Sequence, residues 1–303
     1  MKKNEILMIM PYFGELPRWF DLYYHSCRRN DFIDFLFITN CKEIKATANI
    51  KVVMMSFSSY CEMVSHKLKI DFSPNSPYKI CDLRPFFYDI HEEYLRDYAF
   101  WGYGDIDVVY GNLRILLPSG RLRRYDIISS HSDRLSGHFC VVRKDSNYTK
   151  IGYKIKGWKH YLEEDYVYGL DEHDFTSLVF PAQKYIWSLY RRIGKYLNIK
   201  YYKFFDAFNV FFNVVSRHYL KEYLTSLRPR DNEVWEYNVK EGRVFNPQRK
   251  ELPYLHFLFF KRTKFYDAKN YWRDDFWKIQ DKRIDEITSE TICFTNRYVF
   301  EKN

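Results

Sequence analysis

At 303 residues, with 46% hydrophobic and 29% charged side chains, the chain has the composition of a folded protein with a sizeable core, which excludes a disordered polymer. Its formal net charge of +9 favours anionic partners: phosphates, nucleic acid or acidic lipid. The six cysteines, Cys27, Cys41, Cys61, Cys81, Cys140 and Cys293, show no C-x-x-C spacing, so neither a zinc pattern nor a dense disulfide framework is expected and a reducing cytosol fits.

In chain order, the short apolar run Ile6–Met10 predicts a buried strand and is too short for a signal peptide. Pro17 fits a first helical turn, and Trp19, Phe20, Tyr23 and Tyr24 follow at helical spacing. Phe35–Thr39 and Val52–Met55 predict second and third strands, and Ser59 with Glu62 predicts a capping box for a helix to about Ile70. A helix is expected over Lys79–Leu95, with Pro85 near its start, and an aromatic strand over Tyr98–Tyr103. This alternation predicts an α/β fold, a mixed, mostly parallel sheet with helices on both faces.

Further on, Tyr125–Ser129 and Phe139–Arg143 read as strands, with Ser136-Gly137-His138 as a turn, and a helix begins near Asp171. Residues 184–222 are basic and aromatic: Lys or Arg stands at 184, 191, 192, 195, 200, 203, 217 and 221, against Asp206 and Glu222 alone. That pattern suits a basic helical pair with aromatics packed inside, or a peripheral contact with an anionic membrane. Val234–Asn238 and Arg243–Asn246 predict a hairpin, and Tyr254–Phe260 a late strand carrying His256. The chain reads as a single domain with a core over 1–180, a basic aromatic helical segment over 181–230, and a hairpin with a closing strand or helix over 231–303. No stretch approaches the ~20 apolar residues of a membrane span. The expected location is therefore cytoplasmic, free or at the inner face of the plasma membrane.

Parallel sheets bind ligands at the carboxyl ends of their strands. Pro11–Gly14, Thr39-Asn40 and Asp105–Asp107 all fall at such ends. Asp105 and Asp107 flank one residue at the exit of a strand, between the apolar pairs Phe100-Trp101 and Val108-Val109, with Gly102 and Gly104 easing a turn. Two carboxylates so placed can hold a hard cation such as Mg²⁺ or Mn²⁺ that keeps positions open for phosphate oxygens. Lys79, Asp82 and Arg84 stand at helical spacing upstream, either to meet a nucleotide or simply to pair with one another. Asp171, Glu172 and Asp174 cluster at a helix start, where carboxylates also serve as caps and dipole partners. Read by itself, His256 is a histidine satisfied within a half-buried strand.

The run from Tyr78 to Arg114 (YKICDLRPFFYDIHEEYLRDYAFWGYGDIDVVYGNLR) resembles the donor-site region of GT-A-type glycosyltransferases. More narrowly, it resembles a bacterial group found with capsule and surface-polysaccharide genes and catalogued as a domain of unknown function. The opening PYFGELPRWFDLYYHSCRRNDFIDFLFITN and the late YLHFLFFKR share the resemblance, which is thin over 181–230. It implies a GT-A-like, Rossmann-type fold with a helical, basic C-terminal part. It also implies a nucleotide-sugar donor, UDP preferred, and a glycan or lipid-linked glycan acceptor. Pro11, Tyr12 and Phe13 would line the base pocket beside Thr39 and Asn40, and Lys79 and Asp82 would sit near base, ribose or diphosphate. Asp107 and His256 would ligate Mn²⁺ or Mg²⁺, with Asp105 reaching ribose or metal-bound water, and Lys261 would meet the diphosphate. Asp171, Glu172 or Asp174 would act as general base if the sugar is transferred with inversion. Two rivals remain: a metal-dependent nuclease, disfavoured because the basic residues do not gather beside the aspartate pair, and an inactive nucleotide-sugar-binding module.

Overall fold

The apolar runs of the first half form strands, and the computed structural model describes residues 4–226, 233–257, 275–279 and 290–302. In chain order the strands are β1 (Ile6–Tyr12), β2 (Asp34–Thr39), β3 (Ile50–Met54), β4 (Phe100–Gly104), β5 (Val108–Tyr110), β6 (Ile127–Ser129) and β7 (Phe139–Arg143). There follow β8 (His218–Leu220), β9 (Trp235–Asn238), β10 (Arg243–Phe245), β11 (Glu251–Leu252), β12 (Tyr254–His256), β13 (Thr291–Phe294) and β14 (Val299–Glu301). The α-helices are α1 (Phe20–Arg29), α2 (Phe57–Leu68), α3 (Phe87–Ile90), α4 (Ser119–Arg124), α5 (Trp158–Glu163), α6 (Asp174–Val179), α7 (Gln183–Leu189) and α8 (Tyr201–Val215). Two units interleave along the chain: unit 1 takes residues 1–14, 32–105 and 119–222, and unit 2 takes 15–31, 106–118 and 223–303.

Unit 1 is an α/β structure on a seven-stranded sheet in the order β3-β2-β1-β4-β7-β6-β8. Strands β3, β2, β1 and β4 are mutually parallel, β7 is antiparallel to β4 and β6, and β8 is parallel to β6. The sheet is therefore mixed and mostly parallel. Leu7, Ile9, Leu36, Ile38, Trp101 and Tyr103 turn one face toward a core shared with Tyr60 and Val64 of α2, Phe175 of α6 and Phe205 of α8. The alternate residues Met8, Phe35, Phe37 and Val141 are as deeply buried, so both faces are covered.

Two local details differ from expectation. The cap of α2 is Ser56, whose hydroxyl accepts the Ser59 amide at 3.0 Å, one turn before the predicted box. The helix expected over Lys79–Leu95 is a 3-10 helix over Pro77–Phe86, the short α3, and a second 3-10 turn over Glu92–Tyr94. Pro85 has no amide hydrogen and its ring crowds the preceding turn, so one continuous α-helix cannot run through it.

Unit 2 holds a five-stranded sheet in the order β11-β10-β9-β13-β14, antiparallel at each pairing. The expected hairpin is β9–β10, turned through Gly242 at φ 65°. A second, two-stranded piece pairs β5 with β12. Helix α1 anchors it: Ser26 Oγ accepts the Tyr110 amide at 3.0 Å, and Asn30 Nδ2 donates to the Gly111 carbonyl at 2.9 Å. The helical, basic segment thus ends with α8, and the described chain beyond it is sheet. No helix among the described residues is long and apolar enough to cross a membrane.

Candidate functional site

In unit 1 the chain builds outward from β1 to β3 and then returns to place β4 on the other side of β1. Such a reversal opens a crevice at the carboxyl ends of the two central strands. The ends of β1, β2 and β4 lie on one edge, at Tyr12, Thr39 and Gly104. Strand β7 starts there, since Gly104 pairs with Phe139, and β6 and β8 finish there, since Ser129 stands against both Cys140 and Leu220.

The loops after β1 and β2 are joined, as the Gly14 amide donates to Asn40 Oδ1 at 3.1 Å. Pro11 and Tyr12 are half-buried and Asn40 is exposed. Phe13 instead packs between Phe57 and Tyr60, at ring distances of 5.4 and 5.2 Å. Thr39 is fully buried, and its hydroxyl accepts the Cys41 amide at 3.0 Å. Of the five residues expected to line a base pocket, Phe13 and Thr39 are therefore buried in the core.

Lys79 and Asp82 are further from the expected role. Both side chains are 0% exposed and pair at 3.0 Å. The Lys79 ammonium also donates to the carbonyls of Tyr161, at 2.5 Å, and Tyr166. Asp82 accepts the amides of Tyr168 and Leu170 at 2.9 and 3.0 Å. The three ammonium hydrogens thus go to Asp82 and to two carbonyls of the 161–170 segment, so the pair acts as structure behind the edge.

Arg84, two residues before the end of the same 3-10 helix, does face the edge. Its guanidinium donates to Asp171 Oδ2 at 2.5 Å and to Asp105 Oδ1, and lies over the Tyr103 ring at 5.4 Å from its centre. Asp105, with 22% of its side chain exposed, sits just past the end of β4. Burial pushes the Asp171 carboxyl up to about 6, an effect that the Arg84 charge opposes and the Glu172 charge reinforces. Glu172 is half-buried and accepts the Gly137 amide at 3.0 Å, whereas Asp174 is exposed at the first residue of α6. A β-carbon on Gly137 would stand 2.8 Å from Arg84 Nη1 and 3.0 Å from Asp171 Oδ2. Glycine is what lets this backbone close on the charged group.

The other half of the aspartate pair belongs to unit 2. Asp107 is 0% exposed, immediately ahead of β5. The β5–β12 register sets His256 against Val108, and the Phe257 amide donates to the Asp107 carbonyl at 2.9 Å. His256 Nε2 then lies 3.4 Å from Asp107 Oδ2, while Nδ1 stands 3.3 Å from the Ser226 hydroxyl. Upstream, the Trp19 indole donates to the Ile106 carbonyl at 2.8 Å, fixing the residue between the two aspartates. A buried carboxylate and an imidazole nitrogen side by side, with a second carboxylate two residues away in sequence, form a donor set that suits Mn²⁺ or Mg²⁺. The Ser226 contact is the kind of second partner that orients a metal-binding histidine. Lys261 lies outside the described residues.

Sequence reasoning had named the Lys79–Arg84 segment without separating its charges. It passed over His131, which is buried with Nδ1 3.0 Å from Glu222 Oε2 and its ring 5.0 Å from that of His138. The only signal for that pair in sequence is two histidines near a predicted strand end.

A family model described as a family of unknown function (DUF6625) matches residues 8–287. No curated protein matches the chain. Among solved structures, mouse xyloside xylosyltransferase 1 in its apo form is similar at a TM-score of 0.36 and 11% identity, over 60% of this chain and 82% of that one. An active-site mutant of LgtC is similar at 0.33 and 10%, over 55% and 70%. The galactosyltransferase LgtC in complex with donor and acceptor sugar analogs is similar at 0.30 and 12%, again over 55% and 70%.

Proposed function

The chain belongs to the family of unknown function DUF6625, and we propose that it is a metal-dependent glycosyltransferase using a nucleotide-sugar donor, UDP-linked by preference, and a glycan or lipid-linked glycan acceptor of bacterial surface polysaccharide. The observation that carries the reading is the aspartate pair at the exit of β4, whose second member lies beside a histidine brought in by β12. Asp107 and His256 would ligate Mn²⁺ or Mg²⁺, with Asp105 as a further ligand or a contact to ribose. When bound, the cation would neutralise the charge that grows on a departing nucleoside diphosphate.

The remaining steps fall to side chains of the edge. Pro11, Tyr12 and Asn40 would border the base, with Phe13 and Thr39 behind them. Lys261 would meet the diphosphate. Lys79 and Asp82 would hold the 161–170 loop and touch no ligand. Of the three acidic candidates, Asp171 suits a general base best, because a carboxyl near 6 is largely ionised at neutral pH yet accepts a proton readily. In an inverting transfer it would take the acceptor hydroxyl proton as that oxygen bonds to the anomeric carbon. The bond from that carbon to the diphosphate oxygen would break, its electron pair leaving with the diphosphate. Arg84 would hold Asp171 in place.

Thermal unfolding with UDP, GDP and ADP, each with Mn²⁺ and with chelator, tests the reading. One nucleotide should stabilise the native state by roughly 2.7 kcal/mol when its free concentration is about a hundred times its Kd. The effect should need metal and vanish in Asp107→Ala. Stabilisation that ignores the metal would remove the cation from the proposal, and no response to any nucleotide would sink the glycosyltransferase reading.

A further inference from the structure

Helix α8 is built inside out. Its inward positions include Asn209 and Asn213, both buried, whereas Val210, Phe211, Val214 and Val215 point to solvent at 74%, 65%, 51% and 64% exposure. The asparagines explain the orientation: Asn209 Nδ2 donates to the Ser132 and Leu220 carbonyls at 2.6 and 3.0 Å, and Asn213 Oδ1 accepts the Leu220 amide at 3.0 Å. Turning the helix to bury its valines would strand these amides and the backbone groups they serve. Phe204, Phe205, Phe208 and Phe212 already supply its share of the core. The outward stripe is thus surplus to folding.

The stripe has company. In the segment ahead of α8, Ile193, Tyr196 and Leu197 are 47%, 88% and 58% exposed. Along the same stretch of chain lie the exposed cations Lys184, Arg191, Arg192, Lys195, Lys200 and Lys203. The two acidic residues of the segment are engaged elsewhere, Glu222 with His131 and Asp206 as acceptor of the Glu222 amide at 3.3 Å. A groove of about 510 Å³ shares Val210 and Val214 with the stripe and is lined also by Arg124, Tyr219, Lys221 and Asp206.

We propose that the outward face of α8, with the basic segment before it, seats unit 1 on an anionic lipid bilayer, apolar side chains among the acyl chains and cations at the headgroups. Charge decides between this and the other obvious occupant. A second copy packed isologously would set one cationic face against another, the segment's two carboxylates being already engaged within the chain. A bilayer containing acidic lipid supplies both the apolar layer and the negative charge. The proposal stands apart from the glycosyl-transfer reading and fails or survives without it.

Co-sedimentation with phosphatidylcholine vesicles, with and without phosphatidylglycerol, tests it on the full chain. The wild type should bind the phosphatidylglycerol vesicles, ignore pure phosphatidylcholine, and be released by high salt. Phe211→Ser with Val214→Ser should weaken binding by about tenfold or more, and Lys200→Gln with Lys203→Gln by about fivefold per lysine. All these positions are exposed, and unchanged melting curves would show that the variants fold. Failure to bind phosphatidylglycerol vesicles, or binding unaltered in both variants, would overturn the proposal. So would a wild-type dimer in sedimentation equilibrium that the Phe211→Ser, Val214→Ser variant dissolves, since a second copy would then own the face.

Discussion

The 3-10 helix Pro77–Phe86 carries two buried ionic groups that differ in every respect but location in sequence. Lys79 and Asp82 are sealed from solvent, and the ammonium spends one bond on Asp82 and two on the backbone of residues 161–170, where Asp82 accepts two amides. Arg84 instead bridges two carboxylates, one of them partly exposed, at the edge where β1, β2 and β4 end. The first group holds a loop. The second keeps charges close together in a place a ligand can reach, with one carboxyl raised toward neutrality. Charged residues of equal prominence in sequence thus divide by burial and by whether their partners are backbone or other titratable groups.

The contrast can be broken most forcefully at Lys79. Removing one member of a buried pair leaves the other uncompensated, so Lys79→Met should cost about 3–5 kcal/mol, measured by denaturant unfolding. Nucleotide affinity in the fraction that remains folded should be unchanged. A stable Lys79→Met protein that has lost nucleotide binding would reverse the two roles.

A smaller effect sharpens the second group. Asp171 has its carboxyl raised from 3.8 to about 6 by burial. The native state therefore holds that proton more tightly than the unfolded chain does. Its contribution to stability is full below pH 4 and is lost as pH rises through about 6, by roughly 3 kcal/mol in all. Asp171→Asn should lack this slope, so the stability difference between wild type and variant should shift against the wild type from pH 4 to pH 7. Parallel profiles would mean that Arg84 offsets burial. The smallest change is Gly137→Ala, expected to cost about 1 kcal/mol, because the terminal atoms of Arg84 and Asp171 can give way to the added methyl. Its sharper readout is loss of the Asp171 pH dependence.

Much of unit 1 could be read directly. Strands β1, β2 and β7 fall where apolar runs of strand length end in turn residues, and the parallel pairing of β1 with β2 follows from alternation with helices. The aspartate pair was legible for the same reason, since it interrupts an apolar run. What sequence hid was mostly non-local. Nothing around His256 says that β12 will pair with β5, yet that register alone puts its ring beside Asp107. Strands β13 and β14 are four- and three-residue stretches without strong alternation, legible only once β9 is there to pair with β13, and β13 with β14. The inward asparagines of α8 were hidden as well, because nothing local marks Asn209 and Asn213 as partners of Ser132 and Leu220.

The chain passes between its two units five times, at 14/15, 31/32, 105/106, 118/119 and 222/223. During synthesis, unit 1 can close when residue 222 has left the ribosome, but unit 2 must wait for β9 through β14. Asp107 therefore emerges long before its histidine. A shortened translation product ending near residue 230 would lack His256, so the Asp107–His256 pair exists only in molecules synthesised past β12.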